Sequence, residues 1–354
     1  MPSSNWSKNL MKPKPLEATV MGSWPIPGWY EFFAGAVRKD SSQFGPVDRE
    51  EAVRDAVGAV VADQIHAGLE RITDGEVQRV DFNLGFYDYL HGLQRLAIPR
   101  LWGAPGHDQR GKYTAIAPLT APTGLGCVEE FKRFRQICPN MPTKMPVPGP
   151  FTLAGCIGGG DVYRSREEVT EALLPIVRKE LLDLVEAGVD FIQLDEPSFA
   201  CHPQDADYFL DVVRRTVVGI PVYTSMHMCF GNYRARAVGW RSYAPLFPSV
   251  GQVAVNQLAM EFASREMTDI GLLKQLPESM DVAVGLVDVK NTWVEPVELI
   301  VQRIEQVLAI LPPERVSITP DCGFSQTPRH VAVGKSINMA KAVRLVRATR
   351  GLAE

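Results

Sequence analysis

An imidazole and a thiol stand two residues apart at His227 and Cys229, directly after the strand-like run Val222–Met226. On a β-strand, residues two apart point to the same face, so both side chains would aim into one space. A second thiol, Cys322, and a carboxylate, Glu261, follow two further strand-like runs. One nitrogen, two sulfurs and one carboxylate oxygen make a tetrahedral zinc set. Because these residues are far apart in the chain, the pattern predicts a catalytic zinc at strand ends rather than a zinc-finger knuckle.

Eight apolar, strand-like runs alternate with helix-patterned stretches along the chain. Continuous apolar runs are typical of parallel strands that are buried on both faces. Eight strands separated mostly by helices is the number that a (β/α)8 TIM barrel requires, so we predict this α/β fold. The predicted strands are Glu17–Met21, Glu70–Thr73, Thr143–Val147, Asp190–Leu194, Val222–Met226, Val253–Met260, Val282–Val287 and Val316–Thr319. The predicted helices are Arg49–Gly68, Arg166–Ala187, Gln204–Val218, Asn232–Ser242, Met267–Leu276, Pro296–Leu311 and Val331–Arg350.

Polar residues, often beside Gly or Pro, directly follow several of the predicted strands. In a TIM barrel this position is the carboxyl-end face, where active sites lie. The candidates for substrate binding at this face are Ser23, Glu76, Asp195 and Glu196. The candidate catalytic residues, on the side of the second substrate, are Asp288 and Lys290.

One segment interrupts the alternation of strands and helices. Residues 84–125 are rich in Gly, Tyr and Pro and show little helical periodicity, so we expect an inserted lid or hairpin after strand 2. Residues 1–15 contain two prolines and are predicted to form an N-terminal arm, which leaves residues 16–354 as a single catalytic barrel. An exposed arm and a long insertion also favour a homodimer.

Composition excludes several classes of protein. The net charge of −4 gives no long-range attraction for nucleic acid or acidic membranes, so we expect neither as a partner. No stretch approaches the roughly 18 apolar residues of a membrane span, and the polar N-terminus lacks the apolar core of a signal peptide. Six cysteines in 354 residues are too few for a disulfide scaffold. We therefore expect a cytoplasmic protein whose reduced thiols are free to bind metal.

Taken in order, the strand-end motifs resemble the cobalamin-independent methionine synthase family, specifically its C-terminal catalytic barrel. The motifs are Met21-Gly22-Ser23-Trp24-Pro25, Asp74-Gly75-Glu76, Gly149-Pro150-Phe151-Thr152, Ile192-Gln193-Leu194-Asp195-Glu196-Pro197, His227-Met228-Cys229 and Pro320-Asp321-Cys322-Gly323. The resemblance implies zinc ligands at His227, Cys229, Glu261 and Cys322. It also implies homocysteine contacts at Ser23, Glu76 and Asp195.

The activity that the resemblance implies is the zinc-dependent transfer of a methyl group to the thiol of homocysteine, giving methionine. A free thiol titrates near about 8.5, and binding to Zn²⁺ deprotonates it while leaving a nucleophilic sulfur. The carboxylates of Asp195 and Glu76 suit the substrate ammonium group. The Ser23 hydroxyl and the backbone amides after Gly22 suit its carboxylate. We expect the substrate sulfur to replace or join Glu261, the weakest of the four ligands.

This chain departs from the family on the side of the methyl donor. Full-length members carry a second, N-terminal barrel that helps to hold polyglutamylated methyltetrahydrofolate, for which this chain has no room. A tryptophan that contacts folate is replaced near Cys156, and a motif that supplies a histidine reads Asp288-Val289-Lys290 here. The donor is therefore open between methyltetrahydrofolate and a methylcorrinoid protein.

Two other functions fit the same residues. One is alkylation of a different thiol, as in epoxyalkane:coenzyme M transferase. Coenzyme M has no ammonium, so it would leave Asp195 and Glu76 uncompensated. The other is a non-catalytic, zinc-stabilised binding barrel, whose closed metal site would admit no further ligand. Structural alternatives for single residues are a turn cap for Ser23, an ion pair with Arg265 for Glu261, an ion pair with Asp288 for Lys290, and a buried network for Asp195 and Glu196.

Overall fold

The computed structural model describes residues 12–79, 84–96, 113–232, 237 and 241–352. Its strands are β1 Glu17–Ala18, β2 His91–Arg95, β3 Tyr113–Thr120, β4 Met145–Pro148, β5 Ile157–Gly158, β6 Phe191–Asp195, β7 Tyr223–Met228, β8 Gln257–Glu261, β9 Asp281–Val287 and β10 Val316–Pro320. Its α-helices are α1 Gly28–Lys39, α2 Pro46–His66, α3 Leu84–Tyr87, α4 Cys127–Ile137, α5 Pro150–Ala154, α6 Arg166–Glu186, α7 Pro197–Cys201, α8 Ala206–Val217, α9 Val297–Leu308 and α10 Arg329–Arg350. Across these ranges no helix has both the length and the apolar character needed to cross a bilayer.

The parallel strands form a closed barrel. Hydrogen bonds order seven of them as β1-β10-β9-β8-β7-β6-β4. The gap between β1 and β4 is bridged by Arg71 and Ile72, which pair in parallel with Thr19 and Thr143, respectively. These two residues occupy the place of the eighth strand, so the predicted (β/α)8 barrel is confirmed.

The second barrel strand is reduced to these two bridges. The residue that follows them, Thr73, forms its backbone hydrogen bonds with a side chain instead of with a neighbouring strand. The Gln64 amide, from α2, donates to the carbonyl of Thr73 at 2.9 Å and accepts from its N–H at 3.1 Å. Both polar groups of Thr73 are therefore satisfied without a neighbouring strand. This local exchange explains why the predicted strand Glu70–Thr73 is shorter in the structure.

A buried ion pair between Arg71 and Glu17 lies at the amino-terminal end of the barrel. Nε of Arg71 bonds to Oε1 of Glu17 at 2.7 Å, and both side chains are at most 3% exposed. The guanidinium also donates to the carbonyl of Thr143 at 3.1 Å and lies over the ring of Phe191 at 4.9 Å. The side chain of Arg71 therefore connects the second barrel strand with Glu17 of β1, with Thr143 before β4 and with Phe191 of β6.

The segment predicted as an insertion contains α3 and an antiparallel pair of strands, β2 and β3. β3 also pairs in parallel with β5, which follows β4 and α5, so a three-stranded sheet adjoins the barrel. The register shifts at Gly92, whose φ of 88° lies in the left-handed region. A Cβ there would lie 2.6 Å from the carbonyl oxygen of Ala117, so this bulge requires glycine. The N-terminal arm falls mostly outside the described residues.

The helix predicted after β8 needs correction, whereas the one predicted after β7 is not tested. The segment Met267–Leu276 contains a 3₁₀ helix, Ile270–Gln275, rather than an α-helix. The segment Asn232–Ser242 lies largely outside the described residues, and short 3₁₀ helices follow it. The predicted strand Val253–Met260 begins only at Gln257.

Replacing Arg71 with Met should lower the free energy of unfolding by about 3–5 kcal/mol, because it leaves the carboxylate of Glu17 buried without its cation. The matched control is Lys132→Met, since the Lys132–Glu129 pair is 55% and 71% exposed, and its loss should cost less than about 1 kcal/mol. Urea denaturation of both variants provides the measurement. Equal effects of the two substitutions would refute the buried-pair argument.

Candidate metal centre and substrate pocket

Three of the candidate metal ligands converge at the carboxyl ends of β7 and β10. His227 lies on β7, Cys229 directly follows this strand, and Cys322 lies just beyond β10. Each offers a ligand atom within 4.8 Å of the other two, and the two sulfurs are 3.7 Å apart. The barrel thus brings together three of the four predicted ligands.

The imidazole of His227 is arranged to bind a metal. Its Nδ1 lies 3.0 Å from Oδ1 of Asp195, its neighbour in the register of β6 and β7. Its Nε2 is buried and makes no hydrogen bond within the described part of the chain. A buried polar atom without a partner is costly, and a carboxylate on the opposite ring nitrogen is the usual support of a metal-bound histidine. The residues therefore fit a metal ion at Nε2.

A buried chain of hydrogen bonds fixes this arrangement from the barrel interior. Nζ of Lys144 donates to Oε1 of Gln193 at 2.7 Å, and Nε2 of Gln193 donates to Oδ1 of Asp195 at 2.8 Å. Because the lysine is the donor, the Gln193 amide must direct its nitrogen toward Asp195. Oδ1 of Asp195 is then an acceptor for the N–H at Nδ1 of His227, which leaves Nε2 facing the thiols.

The three candidate ligands differ in how readily they lose a proton. The hydrogen bond between the thiols lowers the pKa of Cys322 well below its usual range and raises the pKa of Cys229 well above it. Burial opposes charge on His227, but the bond to Asp195 and the nearby sulfur of Cys322 raise its pKa to about 9. Cys322 is therefore the thiol that loses its proton more readily, and the thiolate is the form that binds metals. A metal ion would displace the protons on Cys229 and His227, so its affinity should fall at low pH.

Asp321 fixes the ends of β8 and β10 relative to each other. Its buried carboxylate accepts hydrogen bonds from the backbone N–H groups of residues 262–264, at 3.0, 2.9 and 2.6 Å. These residues directly follow Glu261, whereas Asp321 directly precedes Cys322. Sequence reasoning assigned Asp321 no role, although it lay in the quoted motif Pro320-Asp321-Cys322-Gly323.

Glu261, the predicted fourth ligand, lies at the end of β8 and is fully buried. It is outside the group of three side chains whose ligand atoms lie within 4.8 Å. Nζ of Lys290 donates to both of its oxygens, at 3.1 and 2.9 Å. Arg265, the alternative partner that the sequence suggested, bonds instead to Asp269. Metal binding by Glu261 stays a prediction.

The two candidate catalytic residues lie outside the pocket lining. The ammonium of Lys290 is directed at Glu261. The carboxylate of Asp288 accepts the backbone N–H of Lys290 at 2.7 Å, and the backbone N–H of Asp288 donates to Glu295 at 2.8 Å. Both residues therefore have structural partners here, and their catalytic role stays a prediction.

Glu196, a predicted substrate-binding residue, contacts the start of α5. Its carboxylate accepts from the backbone N–H groups of Phe151 and Thr152, at 3.1 and 2.9 Å, and from the Thr152 hydroxyl at 2.5 Å. Burial raises its pKa to about 7. Gly149 allows the close approach, since a Cβ there would lie 2.0 Å from the carboxylate. These contacts support the structural alternative for Glu196.

The metal-ligand group opens into a pocket of about 420 Å³ at the carboxyl-end face of the barrel. Such a volume is in the range of small-molecule sites. Two of the predicted substrate-binding carboxylates, Glu76 and Asp195, and the hydroxyl-bearing Ser23 line it together with the three ligands. Ser23 packs against Gly323, where a Cβ would lie 2.0 Å from its hydroxyl oxygen.

Glu76, in the pocket wall, has a strained backbone conformation. Its φ of 58° lies in the left-handed region, and its backbone N–H donates to Oδ1 of Asp74 at 2.9 Å. Such strain is frequent at functional sites. Burial raises the pKa of Glu76 to about 8, although the guanidinium of Arg79 lies 3.4 Å from its Oε1 and opposes this shift.

Comparison with known proteins gives the family. The family model "Cobalamin-independent synthase, Catalytic domain" matches residues 16–345. This chain belongs to that family. Among curated relatives, the methionine synthase of Pyrococcus abyssi is 32% identical over 332 residues, covering 94% of this chain and 93% of the relative. The methionine synthase of Thermococcus kodakarensis is 31% identical over 332 residues, covering 94% of each chain.

Solved structures agree on the fold of this cobalamin-independent synthase barrel. A B12-independent methionine synthase from Shewanella sp. W3-18-1, in complex with selenomethionine, superposes with a TM-score of 0.82 at 23% identity, covering 95% of this chain and 98% of that one. A putative vitamin-B12-independent methionine synthase from Listeria monocytogenes gives a TM-score of 0.71 at 18% identity, covering 95% and 99%.

Sequence reasoning missed several polar residues of this synthase-family pocket, among them Gln193, Arg79 and Asn232. Gln193 orients Asp195, and Arg79 forms bonds with Glu130 at 2.8–3.4 Å while its Nη1 has no hydrogen-bond partner among the described residues. Asn232 donates to the carbonyl of Gly323 at 3.2 Å. Gln193 lay inside a quoted motif, whereas Arg79 and Asn232 carried no spacing signal.

Replacing Glu76 with Gln should make the metal-free protein more stable at high pH. The folded-state pKa of Glu76, about 8, is raised above its ordinary value of 4.5, so its contribution to stability is complete below pH 4.5 and is lost as pH rises through 8. Gln cannot ionise, so the variant should gain on the order of 3–5 kcal/mol relative to wild type between pH 5 and pH 9. Urea denaturation at both pH values is the measurement.

The exposed substitution Glu305→Gln is the control and should show little change with pH. If the difference between Glu76→Gln and wild type were the same at pH 5 and pH 9, the buried carboxylate would not be the cause.

Proposed function

We propose that this chain is a zinc-dependent methyltransferase that transfers a methyl group to the thiol of homocysteine and releases methionine. The observation that carries the proposal is the partnerless Nε2 of His227 beside two cysteine sulfurs, in a pocket lined by two carboxylates. The relatives from Pyrococcus abyssi and Thermococcus kodakarensis, which are named methionine synthase, support it.

Zinc is the metal that suits this donor set. Two sulfurs and one imidazole nitrogen are ligands that zinc binds in tetrahedral geometry, and three protein ligands are typical of a catalytic zinc that keeps a position open. His227, Cys229 and Cys322 would hold it, with Glu261 as the predicted fourth ligand. When bound, zinc lowers the pKa of a coordinated substrate thiol, so that the sulfur is a nucleophile at neutral pH.

The pocket residues would orient the rest of the amino-acid substrate. Both hydrogen bonds of Asp195 fall on Oδ1, so its Oδ2 is the oxygen that can accept the substrate ammonium. Glu76 would share that ammonium, because an added positive charge stabilises its ionised form. Ser23, against Gly323, would take the substrate carboxylate. Together these contacts would fix the direction of the sulfur and exclude its competing orientations.

The methyl donor is the second substrate of the proposed reaction. The two candidates are methyltetrahydrofolate and a methylcorrinoid held by a carrier protein. Each donor, incubated with zinc-loaded protein and homocysteine, should be scored by the methionine formed. The donor that supports turnover is the assigned one, and methionine from neither would remove both from the proposal.

Replacing Cys322 with Ser should remove both metal and activity. Zinc content should fall from about one ion per chain to less than a tenth of that value, because the variant lacks one of its two thiolate ligands. Cys138→Ser is the matched control, since Cys138 is a buried thiol at the end of α4 whose sulfur donates to the carbonyl of Phe134. Metal analysis and methionine formation are the measurements. A Cys322→Ser protein with full zinc and full turnover would refute the proposal.

The affinity of the site for thiols with and without an ammonium group should show whether its substrate is an amino-acid thiol. 4-Mercaptobutyrate is homocysteine without its ammonium, and wild-type protein should bind it about 10- to 100-fold more weakly, since a buried charged hydrogen bond is lost. Glu76→Gln should weaken homocysteine binding by a similar factor but leave 4-mercaptobutyrate unchanged. Because zinc deprotonates a bound thiol, the proton released on titration with each thiol measures its affinity. Tighter binding of coenzyme M than of homocysteine would assign the site to another thiol.

A further inference from the structure

Arg79 is a buried cation of the pocket wall to which the proposed function assigns no role. Its side chain is 2% exposed, and it lines the pocket beside Glu76. Among the described residues it is the only cation that pairs with the Glu76 carboxylate, since its Nη1 lies 3.4 Å from Oε1. Arginine is rarely buried to this extent unless it is paired, so the partners of Arg79 indicate its role.

The turn after the reduced second strand brings these two side chains together. Gly75 and Glu76 both have φ in the left-handed region, at 74° and 58°. The backbone N–H of Arg79 then donates to the carbonyl of Glu76 at 3.0 Å, which closes the turn. Oε1 of Glu76 packs against Gly22, where a Cβ would lie 2.4 Å away. The position of this oxygen is therefore defined on two sides, by Gly22 and by Arg79.

Three elements hold the guanidinium of Arg79 in place. Nε and Nη2 donate to the carboxylate of Glu130, on α4, at 2.8–3.4 Å, and Nη2 also donates to the carbonyl of Pro146, on β4, at 2.8 Å. The guanidinium carbon lies 4.8 Å from the ring centroid of Phe86, on α3. Nη1 has no hydrogen-bond partner within the described part of the chain. Because a guanidinium has five N–H donors in a fixed fork, the two on Nη1 remain available beside Glu76.

Asp195, the other carboxylate of the pocket, shows a division of roles between its two oxygens. Its Oδ1 accepts from Gln193 and from the imidazole of His227, which leaves Oδ2 for the substrate. In Glu76 the closest contact with Arg79 is through Oε1, which leaves Oε2. An ammonium group between the two carboxylates can then bind one oxygen of each. Each carboxylate would keep a donor of the protein as well, so its buried charge stays compensated.

We infer that Arg79 is a positioning residue of the amino-acid site, whose Nη1 holds Oε1 of Glu76 and so presents Oε2 to the ammonium group of the substrate thiol. Burial opposes the ionised form of Glu76, and the positive charge of Arg79 favours it. The inference rests on the proposed function and deepens it, because it names a residue on which selection of an amino-acid thiol depends. A purely structural Arg79 would serve only to compensate Glu130.

The test compares the affinities of zinc-loaded protein for homocysteine and for 4-mercaptobutyrate by isothermal titration calorimetry. The variant is Arg79→Met/Glu130→Gln, which removes both charges of the buried pair and so leaves neither of them uncompensated. Its homocysteine dissociation constant should rise about tenfold or more, because Glu76 loses the charge that stabilises its ionised form. Its dissociation constant for 4-mercaptobutyrate should change by less than about threefold, because this thiol has no ammonium to contact Glu76.

A conservative variant, Arg79→Lys, tests the geometry of the guanidinium separately. Lysine keeps the positive charge but lacks the fork that reaches Glu130 and Glu76 together. Homocysteine alone should bind about three- to tenfold more weakly, which is a smaller loss than in Arg79→Met/Glu130→Gln. This variant also provides the measurement if the double variant does not fold.

Three controls separate positioning from folding. Glu130→Gln alone keeps Arg79 beside Glu76 and should retain the preference for homocysteine. Arg71→Met breaks a buried pair at the opposite end of the barrel and should leave both affinities unchanged. In a Glu76→Gln background, the change Arg79→Met/Glu130→Gln should alter homocysteine affinity by less than about threefold, because Arg79 acts through Glu76.

Equal weakening of the two thiols would overturn the inference, as would an undiminished loss of homocysteine affinity in the Glu76→Gln background. A full preference for homocysteine in folded Arg79→Met/Glu130→Gln protein, or in Arg79→Lys where that variant is the one that folds, would do the same. Circular dichroism and zinc content identify folded, loaded protein before each titration. Wild-type protein that binds the two thiols equally would instead count against the proposed function.

Discussion

The hydrogen bond between Asp195 and His227 is the interaction on which the site depends. It occupies Nδ1 and thereby leaves Nε2 as the only ring atom that can face the thiols. The bond exists because β6 and β7 are adjacent parallel strands whose register places these two residues side by side. Gln193 and Lys144, inside the barrel, then hold the carboxylate in that orientation. The register of two barrel strands thus sets the orientation of the His227 imidazole.

Buried charges recur in this molecule, and several of them have a compensating partner. Glu17 pairs with Arg71 at one end of the barrel, and Glu261 pairs with Lys290 at the other. Asp321 is satisfied by three backbone N–H groups instead of a cation. Paired and bonded groups of this kind resist rearrangement, so they keep the side chains at the ends of the barrel in fixed positions.

Much of the fold followed from periodicity and chain order. Continuous apolar runs predicted the parallel strands, and alternation predicted the (β/α)8 barrel that the structure has. The errors occurred where one residue's partner lies in another element. Gln64 replaces strand pairing at Thr73, and the 3₁₀ segment Ile270–Gln275 follows a β8 loop fixed by Asp321. Secondary-structure propensity contains no information about such hydrogen bonds between different elements.

For the site, the sequence by itself determined which atoms could do chemistry and at which face they would lie. Strand-end position was sufficient to bring His227, Cys229 and Cys322 to one place, because the carboxyl ends of parallel strands share one edge. Only the tertiary structure decided the partner of each carboxylate: Asp195 supports a ligand, Glu196 caps α5, and Glu261 pairs with Lys290. The physical reason is that a side chain's role depends on donors within about 3 Å, and chain order does not specify those distances.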